Sequence, residues 1–598
     1  MGEHYIKPEE AVTLHGLFLE RAKRTPEGMA YRYFDAKRDA WLTLSWAEMH
    51  AQVARWQAAL RQENLAVGER VAIMLRNCPQ WVMYEQAALS LGLVLVPLYV
   101  EDRPENTAYI VNDARVRVLF FETAAQWQGL STVLGQMACV QRFVSLESIA
   151  GHGVPHLQQV ESWLPAQAEM QPERSRNRDA LACIMYTSGT TGKPKGVMSS
   201  HHNIIHNAYG GLQTCTVHPH DSMLSFLPLS HAFERTAGYY MSMMAGASVA
   251  YARSIPLLAD DLKIIRPTIL VSVPRIYERI YNAIHAKLAE ASPLRRRLFT
   301  LAVNVGWERF EYQQGRRKWS PKFLLWPVLK KLVADKLMQR LGGRLRLSIS
   351  GGAALPPKVS RLFIALGLPL IQGYGMTETS PVVSINRVGE NLPSTVGQPL
   401  PGIEVRIGEQ NALLVRGPCN MLGYWNNPEA TAATIDKDGW LNTGDTASIN
   451  ESGHITITGR IKEIIVMSNG EKLPPADMEG AIMRDPLFEQ VVLYGEGHSY
   501  LIALAVLNPE QWNALAQQAG VQADLGASLS DPRIEAIVLQ RIAEQIREFP
   551  GYAKVRRVSL TLEPWSVENG LQTATLKLKR TRVFERYEKE ISRLYLGH

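Results

Sequence analysis

Residues 186–197 read YTSGTTGKPKGV, and their types suit one chemical task. Three glycines let backbone amides crowd around an anion, five hydroxyl side chains (Tyr186, Thr187, Ser188, Thr190 and Thr191) supply donors, and two lysines supply charge. Such a loop suits phosphate. It is not a Walker loop, which needs Ser or Thr directly after its Gly-Lys pair, because Pro194 follows Lys193 here. Kinase-type and GTPase-type chemistry therefore starts without its defining motif. Two further glycine-bearing stretches, SGGAAL at 350–355 and QGYGMTETS at 372–380, add a carboxylate, Glu378, and more hydroxyls.

These loops need rigid supports, and the surrounding pattern provides them. LACIMY at 181–186 is an apolar strand running straight into the phosphate-type loop, and RLRLSIS at 344–350 is a strand ending in a Gly-Gly turn. A helix opened by Pro356-Pro357, a strand and the QGYG loop follow. Upstream, SWAEMHAQVARWQAAL alternates with strand-like RVAIML and RVLFF, the alternation of a layered α/β domain whose ligands bind at strand ends. From 403 the texture changes to short strands and turns, and beyond 463 to a mixed α and β segment. The expected organisation is a large multi-part domain over 1–461 and a smaller mobile α+β domain over 462–598, each of ordinary globular composition.

With 46% hydrophobic and 20% charged residues, the chain of 598 is too long for one ordinary domain. Its five cysteines are widely spaced, odd in number and without a C-x-x-C pair, which fits neither a disulfide framework nor a zinc site. Reduced thiols and an N-terminus lacking an apolar run point to a cytoplasmic protein, and no apolar stretch is long and uninterrupted enough for a membrane span. The net charge of +7 is concentrated: residues 295–346 hold 14 Lys and Arg against 3 Asp and Glu, a local +11 that leaves −4 elsewhere. That localisation removes the main support for nucleic-acid binding.

Together, YTSGTTGKPKGV (186–197), LPLSHAFERT (227–236), SGGAAL (350–355), QGYGMTETS (372–380), VRGPCNMLGYW (415–425), DGWLNTGD (438–445), GRIKEIIVMSNGEKLPPADME (459–479) and TATLKLKR (573–580) resemble the AMP-forming acyl-adenylate synthetase superfamily, in order and across most of the chain. Within it the motifs are most similar to those of bacterial long-chain fatty acyl-CoA synthetases. The resemblance implies that a fatty acid carboxylate attacks the α-phosphorus of ATP, releasing pyrophosphate, and that CoA then takes the acyl group from acyl-AMP. It implies Thr187, Ser188, Gly189, Thr190, Thr191, Gly192 and Lys195 as contacts of the departing phosphates, and Thr187 with Glu378 as oxygen ligands of Mg²⁺. Gly351, Gly352, Ala353, Gln372, Gly373 and Tyr374 would form the adenine slot, Thr377 would meet the α-phosphate, and Asp445 with Arg460 would hold the ribose. Leu441 and Asn442 depart from the usual residues before that Asp, while Thr443 and Gly444 keep the pattern.

By the same resemblance Lys577 would stabilise charge on the pentavalent phosphorus, a role that acts on the transition state more than the ground state. Lys579, two residues on, stays open as an alternative register. Lys462 would be the hinge about which the C-terminal domain turns between half-reactions, bringing Gly470 to the CoA tunnel. His231, Phe233 and Glu234 would lie near the acyl entrance. A basic helical insert over about 285–346 carries Trp307, Phe310, Trp319, Phe323 and Trp326. Either these aromatics and cations meet an anionic membrane from which fatty acid is collected, or the aromatics pack on the body of the protein. A ligase for medium-chain or aromatic acids, or for a carrier-protein acceptor, is the alternative within the superfamily. No carrier domain is seen by 598.

Overall fold

The computed structural model describes residues 4–149, 156–187, 193–468, 471–523, 526–549, 553–573 and 577–596. Two large sheets dominate the N-terminal part. One has eight strands, in the order Gly423–Tyr424, Lys195–Ser200, Leu181–Thr187, Val94–Pro97, Arg70–Met74, Val116–Phe121, Arg142–Ser145 and Leu157–Gln159. The other has nine and carries Leu347–Ser350 beside Leu370–Gly375 at its parallel centre. Both are parallel inside and antiparallel at an edge, as expected when helices cover both faces of a sheet.

A shared core lies between these sheets. Val71, Ile73, Leu95 and Phe120 of the first meet Val249, Ile269, Val271 and Ile349 of the second through intervening helices. Pro79–Ser90 is buried along nearly its whole length, as a helix between two sheets must be. The helix Trp46–Gln62 starts at a reciprocal cap: Ser45 Oγ accepts from Glu48 N, and the Glu48 carboxylate accepts from Ser45 N at 2.7 Å. A four-stranded antiparallel sheet, with strands Glu404–Ile407, Ala412–Arg416, Leu441–Ile449 and Ile455–Arg460, follows. The C-terminal region has its own core around the strands Phe488–Tyr494, Leu501–Leu507 and Val555–Thr561.

One buried charge group ties the central layers together. Arg235, on the π-helical turn Glu234–Tyr240, reaches Glu85 on the central helix, and both side chains are out of water. Tyr240 donates to the same Glu85 oxygen at 2.7 Å, and Arg235 Nη1 lies 2.7 Å from Cys183 Sγ on the strand leading to the phosphate-type loop. Breaking such a pair from one side strands a charge in the core.

The basic segment is helical, with Pro274–Ala289, Pro293–Gln313 and a chain of short turns from Pro321 to Arg340. Of the two readings of its aromatics, packing on the body of the protein holds for four of the five. Phe310 and Trp326 are buried, and Trp307 and Phe323 pack partly buried on the core outside the nine-stranded sheet. Arg316, Arg309 and Arg361 stack over Phe310, Trp326 and Trp307 at 5.4 to 5.6 Å, capping those rings with cations. Helix 293–313 sits so close to helix 357–365 that a Cβ on Gly306 would fall 1.9 Å from Ala365 O. Trp319 alone of the five stays well exposed, at 55%. The outward face is instead aliphatic, with Leu324, Leu325, Val328 and Leu332 exposed. Among the described residues no helix is long and apolar enough to cross a membrane.

Glu234, beside Arg235, has no cationic partner at ion-pair distance among the described residues and is 1% exposed, with its Oε2 lacking a hydrogen bond. A Cβ on Gly238 would fall 2.3 Å from its Oε1, so the missing side chain leaves room for the carboxyl. Burial, opposed by the Ser225 hydroxyl, pushes this carboxyl from the usual 4.5 up to about 8. The folded chain therefore keeps a proton that the unfolded chain loses above about pH 4.5, and the stability from this group is present below that pH and lost as pH rises through about 8. Glu234→Gln removes this dependence, so thermal unfolding between about pH 5 and 8 should show a shallower decline in the variant than in the wild type. Parallel declines would contradict the assignment.

Candidate functional site

The strand ends and the C-terminal domain converge on a cavity of about 1860 Å³. Strands Leu181–Thr187 and Lys195–Ser200 pair antiparallel, with Thr187 opposite Lys195 at the end next to this space. Thr187 and Lys195 line it; Ser188, Gly189, Thr190, Thr191 and Gly192 lie outside the described residues. Lys195 Nζ stands 5.1 Å over the ring of Tyr424, whose hydroxyl donates to Glu378 Oε1 at 2.8 Å. The short strand Gly423–Tyr424 pairs with Val197 and Met198 and thereby fixes that ring. Tyr424 was within a quoted motif yet carried no expected role, because its partners lie 46 and 229 positions away in sequence. Thr377 and Glu378 open a 3₁₀ turn and face the same space.

Asp445 and Arg460 are directly opposed in neighbouring antiparallel strands. Arg460 Nε donates to Asp445 Oδ1 at 2.8 Å, and Tyr374 Oη donates to Oδ2 at 2.5 Å. The sequence suggested Asp445 as an acceptor for ribose hydroxyls; the structure adds that each oxygen already accepts one bond, leaving about one lone-pair direction on each. Burial first, and then this carboxylate, push the Tyr374 phenol well above its usual range. Tyr374 therefore stays a donor to Asp445.

Gly351, Gly352 and Gly373 belong to the wall, but Ala353 and Gln372 do not. Gln372 sits behind the slot as a buried brace, its Oε1 accepting from Leu355 N at 2.6 Å and its Nε2 donating to Thr395 O at 3.2 Å. Its function is to hold the 351–355 turn, a role invisible without the long-range partners. The Phe233 ring presses against Gly351, 3.0 Å from where a Cβ would stand, so a larger residue there would push the ring aside. Phe233 and His231 line the cavity, whereas Glu234 is turned away into the core, correcting its placement at an acyl entrance. His231 Nδ1 accepts from Phe233 N at 3.2 Å, and burial followed by the Lys577 charge pushes the imidazole down to about 4, so it is neutral at pH 7.

Lys577 enters from the C-terminal domain. Gln572 and Leu578 form an antiparallel bridge and Thr573 N donates to Lys577 O at 2.8 Å, which presents the lysine to the cavity. The side chain is open to water inside the cleft, yet its walls and the Arg460 charge lower the ammonium from its ordinary 10.5, against the pull of Asp445, Glu378 and Glu463. Lys579 instead faces Arg103, Asp102 and Arg582. Of the two registers, Lys577 is the one set among the carboxylates. Lys462 lies in the turn Ile461–Glu463 that joins the two regions, and Gly470 is outside the described residues.

This arrangement places Lys195, Arg460 and Lys577 with the carboxylates Glu378 and Asp445 around a space large enough for a nucleotide and a second substrate, which suits electrostatic stabilisation of a transferring phosphoryl group. Known proteins bear the same stamp. Residues 18–425 match the family model described as AMP-binding enzyme, and 462–598 match that of the AMP-binding enzyme C-terminal domain. A Long-chain-fatty-acid–CoA ligase FadD15 from Mycobacterium bovis is 29% identical over 591 residues, covering 97% of this chain and 96% of its own. Long chain acyl-CoA synthetase 6, peroxisomal, from Arabidopsis thaliana is 33% identical over 570 residues, covering 90% of this chain and 79% of its own. The anthranilate CoA ligase AuaEII, solved in complex with anthranoyl-AMP, shares the fold with a TM-score of 0.71 at 19% identity and 98% coverage of both chains. Matched by that model over more than half its length, the chain belongs to the AMP-binding enzyme family.

Proposed function

We propose that the protein is an AMP-forming long-chain fatty acid–CoA ligase. The observation that supports this most is the position of Lys577, delivered by the C-terminal domain into a cleft that also holds Glu378, Asp445 and Arg460. The fatty acid carboxylate attacks the α-phosphorus of ATP; the new O–P bond forms as the bond to the β-phosphate oxygen breaks, and its electron pair leaves with pyrophosphate. Lys577 stabilises the negative charge on the pentavalent phosphoryl group, Thr377 contacts the same phosphate, and Thr187 and Lys195 at the two strand ends hold the leaving part. Asp445 and Arg460 seat the ribose, and Tyr374 flanks the adenine. His231, neutral and beside Phe233, lines the approach to the acyl carbonyl.

Thr187 and Glu378 fit Mg²⁺. Both line the cavity, both offer hard oxygen donors, and Glu378 has no cationic partner at ion-pair distance among the described residues. Bound there with ATP, the ion would offset phosphate charge. Turning of the domain 462–598 about Lys462 then withdraws Lys577 and admits CoA thiolate to the acyl carbonyl, with AMP leaving as the C–O bond breaks. Lys577→Ala should lower acyl-adenylate formation by about 10²-fold or more while thioester formation from supplied acyl-AMP stays largely intact. Straight-chain acids of graded length, with benzoate and cinnamate beside them, should give thioester and AMP with a maximum at the long chains when CoA is the acceptor. A maximum at aromatic acids, or turnover only with a carrier protein, would replace the substrate assignment.

The substrate class also gives a use to the outer face of the basic segment. Leu324, Val328 and Leu332 recur every four residues with Trp319 and Leu325 exposed nearby, and Lys318, Lys322, Lys330 and Lys331 surround them. Aliphatic side chains that enter the interface and cations that meet anionic headgroups support a peripheral membrane contact. Co-sedimentation with vesicles should rise with anionic lipid content, fall with salt, and drop in a Leu324→Ser/Val328→Ser/Leu332→Ser variant. Equal recovery on neutral and anionic vesicles would contradict the electrostatic part.

A further inference from the structure

A second cavity, of about 260 Å³, shares no lining residue with the catalytic cleft and lies where distant stretches of chain meet. Pro8 and Val12 come from the short helix Pro8–Ala11 and the residue after it, Ile205 from the helix His201–Thr214, and Pro401 from the turn that follows the last strand of the nine-stranded sheet; together they give it an apolar wall. The same helix supplies polar groups. His202, His206, Tyr209 and Gln213 recur at steps of four, three and four, which sets them on one face. The two imidazole rings stand 5.8 Å apart at 59°, and the 401–402 turn abuts the second, since a Cβ on Gly402 would fall 3.1 Å from His206 Cε1.

Arg178 brings a cation to this face. Its backbone oxygen accepts from His202 N at 2.8 Å, which ties it to the helix. Its guanidinium has one ion pair among the described residues, with Asp179 at 3.7 Å, and the two side chains are 61% and 67% exposed, so that pair holds it weakly. Glu9 is the one carboxylate among the described lining residues. Burial first, and then Arg178, hold the His202 imidazole below its ordinary 6.5 against the pull of Asp179; burial and then His202 do the same for His206. Both rings are therefore largely neutral at pH 7 and take up a proton when an anion comes to rest beside them. A metal ion suits the space less well, because Arg178 opposes it and no group of three metal-binding side chains occurs among the described residues.

We propose that this cavity binds a monocarboxylate with a short aliphatic body, its carboxylate held by Arg178, His202 and His206 and its chain lying against Pro8, Val12 and Ile205. An Arg fork beside two imidazoles matches a carboxylate, and an apolar wall beside a few convergent polar groups is the usual make-up of a small-molecule site. The volume admits such an acid and is too small for a nucleotide. The site stands apart from the catalytic cleft and does not depend on the ligase assignment. It is nonetheless one helix away from the catalytic wall. Asn207, next to His206, donates to Val382 O at 2.7 Å and accepts from Val382 N at 3.1 Å, just past the turn Thr377–Thr379 that carries Glu378.

Octanoate is the probe. In the full chain labelled with ¹³C at histidine Cε1, with resonances assigned through single His→Gln variants, one titration reports on both cavities, because His231 lines the catalytic one. Octanoate should move the His202 and His206 resonances and raise the pH at which both rings titrate. The affinity read from those two signals should fall about tenfold in Arg178→Gln and rise in Glu9→Gln, where the opposing carboxylate is gone. Octanol and inorganic phosphate, which lack the carboxylate and the aliphatic body respectively, should each bind about tenfold more weakly than octanoate. His202 and His206 signals that octanoate leaves unmoved, or an octanoate affinity unchanged in Arg178→Gln, would overturn the proposal. Octanol or phosphate binding as tightly as octanoate would overturn it equally, as would Zn²⁺ binding to the same two rings with an affinity that drops in Glu9→Gln. The His231 signal is read separately, so events in the catalytic cleft are not mistaken for events here.

Discussion

The site depends on one carboxylate that binds three parts of the chain to each other. Asp445 accepts from Arg460 on the neighbouring strand and from Tyr374 on the nine-stranded sheet, and its charge favours the ammonium of Lys577, which comes from the other domain. Two cations and one phenol around a single buried anion leave a net positive charge at the centre of the cleft, with Glu378 and Glu463 at its margin. A polyanionic substrate completes that balance. The buried Asp is tolerable only because its partners are in place, and those partners are in place only when strands, sheet and domain have all assembled.

The layers behind the site serve that assembly. The strand leading to the hairpin is anchored through Cys183 to the Arg235 and Glu85 pair, and Arg235 belongs to the same turn of chain that sends His231 and Phe233 into the cavity. The phosphate end and the acyl end of the cavity therefore share one buried anchor. A change there would disturb both ends together. The basic segment plays a different part, since most of its aromatics and several of its arginines are used in packing, while lysines and aliphatic side chains of its outer face stay exposed.

Much of this was legible in the sequence because it is local. A strand that runs into a glycine-rich loop, Ser45 three residues before Glu48, and Pro356-Pro357 ahead of a helix each state their structure within a few residues. Lys577, Glu378, Thr377, Tyr374 and Asp445 were found as motif residues, and the structure brings them to one cavity or its immediate wall. What could not be read was pairing across distance. Gln372 looks like a slot residue until Leu355 and Thr395 are seen to occupy both ends of its amide, and Glu234 looks like an entrance residue until the π-helical turn points it into the core. Tyr424 gave no signal, because its role exists only where the strands meet. The tryptophan-rich basic stretch left two readings open for the same reason: composition cannot say which side of a helix faces the core.

The account stands on a carboxylate oxygen attacking the α-phosphorus. Turnover of palmitate labelled with ¹⁸O in its carboxylate, with ATP, Mg²⁺ and CoA, followed by mass spectrometry of the nucleotide, tests that bond directly. One ¹⁸O atom should appear in AMP, because the oxygen that bridges carbon and phosphorus stays with phosphorus when CoA takes the acyl group. Unlabelled AMP, or label appearing with ADP in inorganic phosphate, would contradict the mechanism.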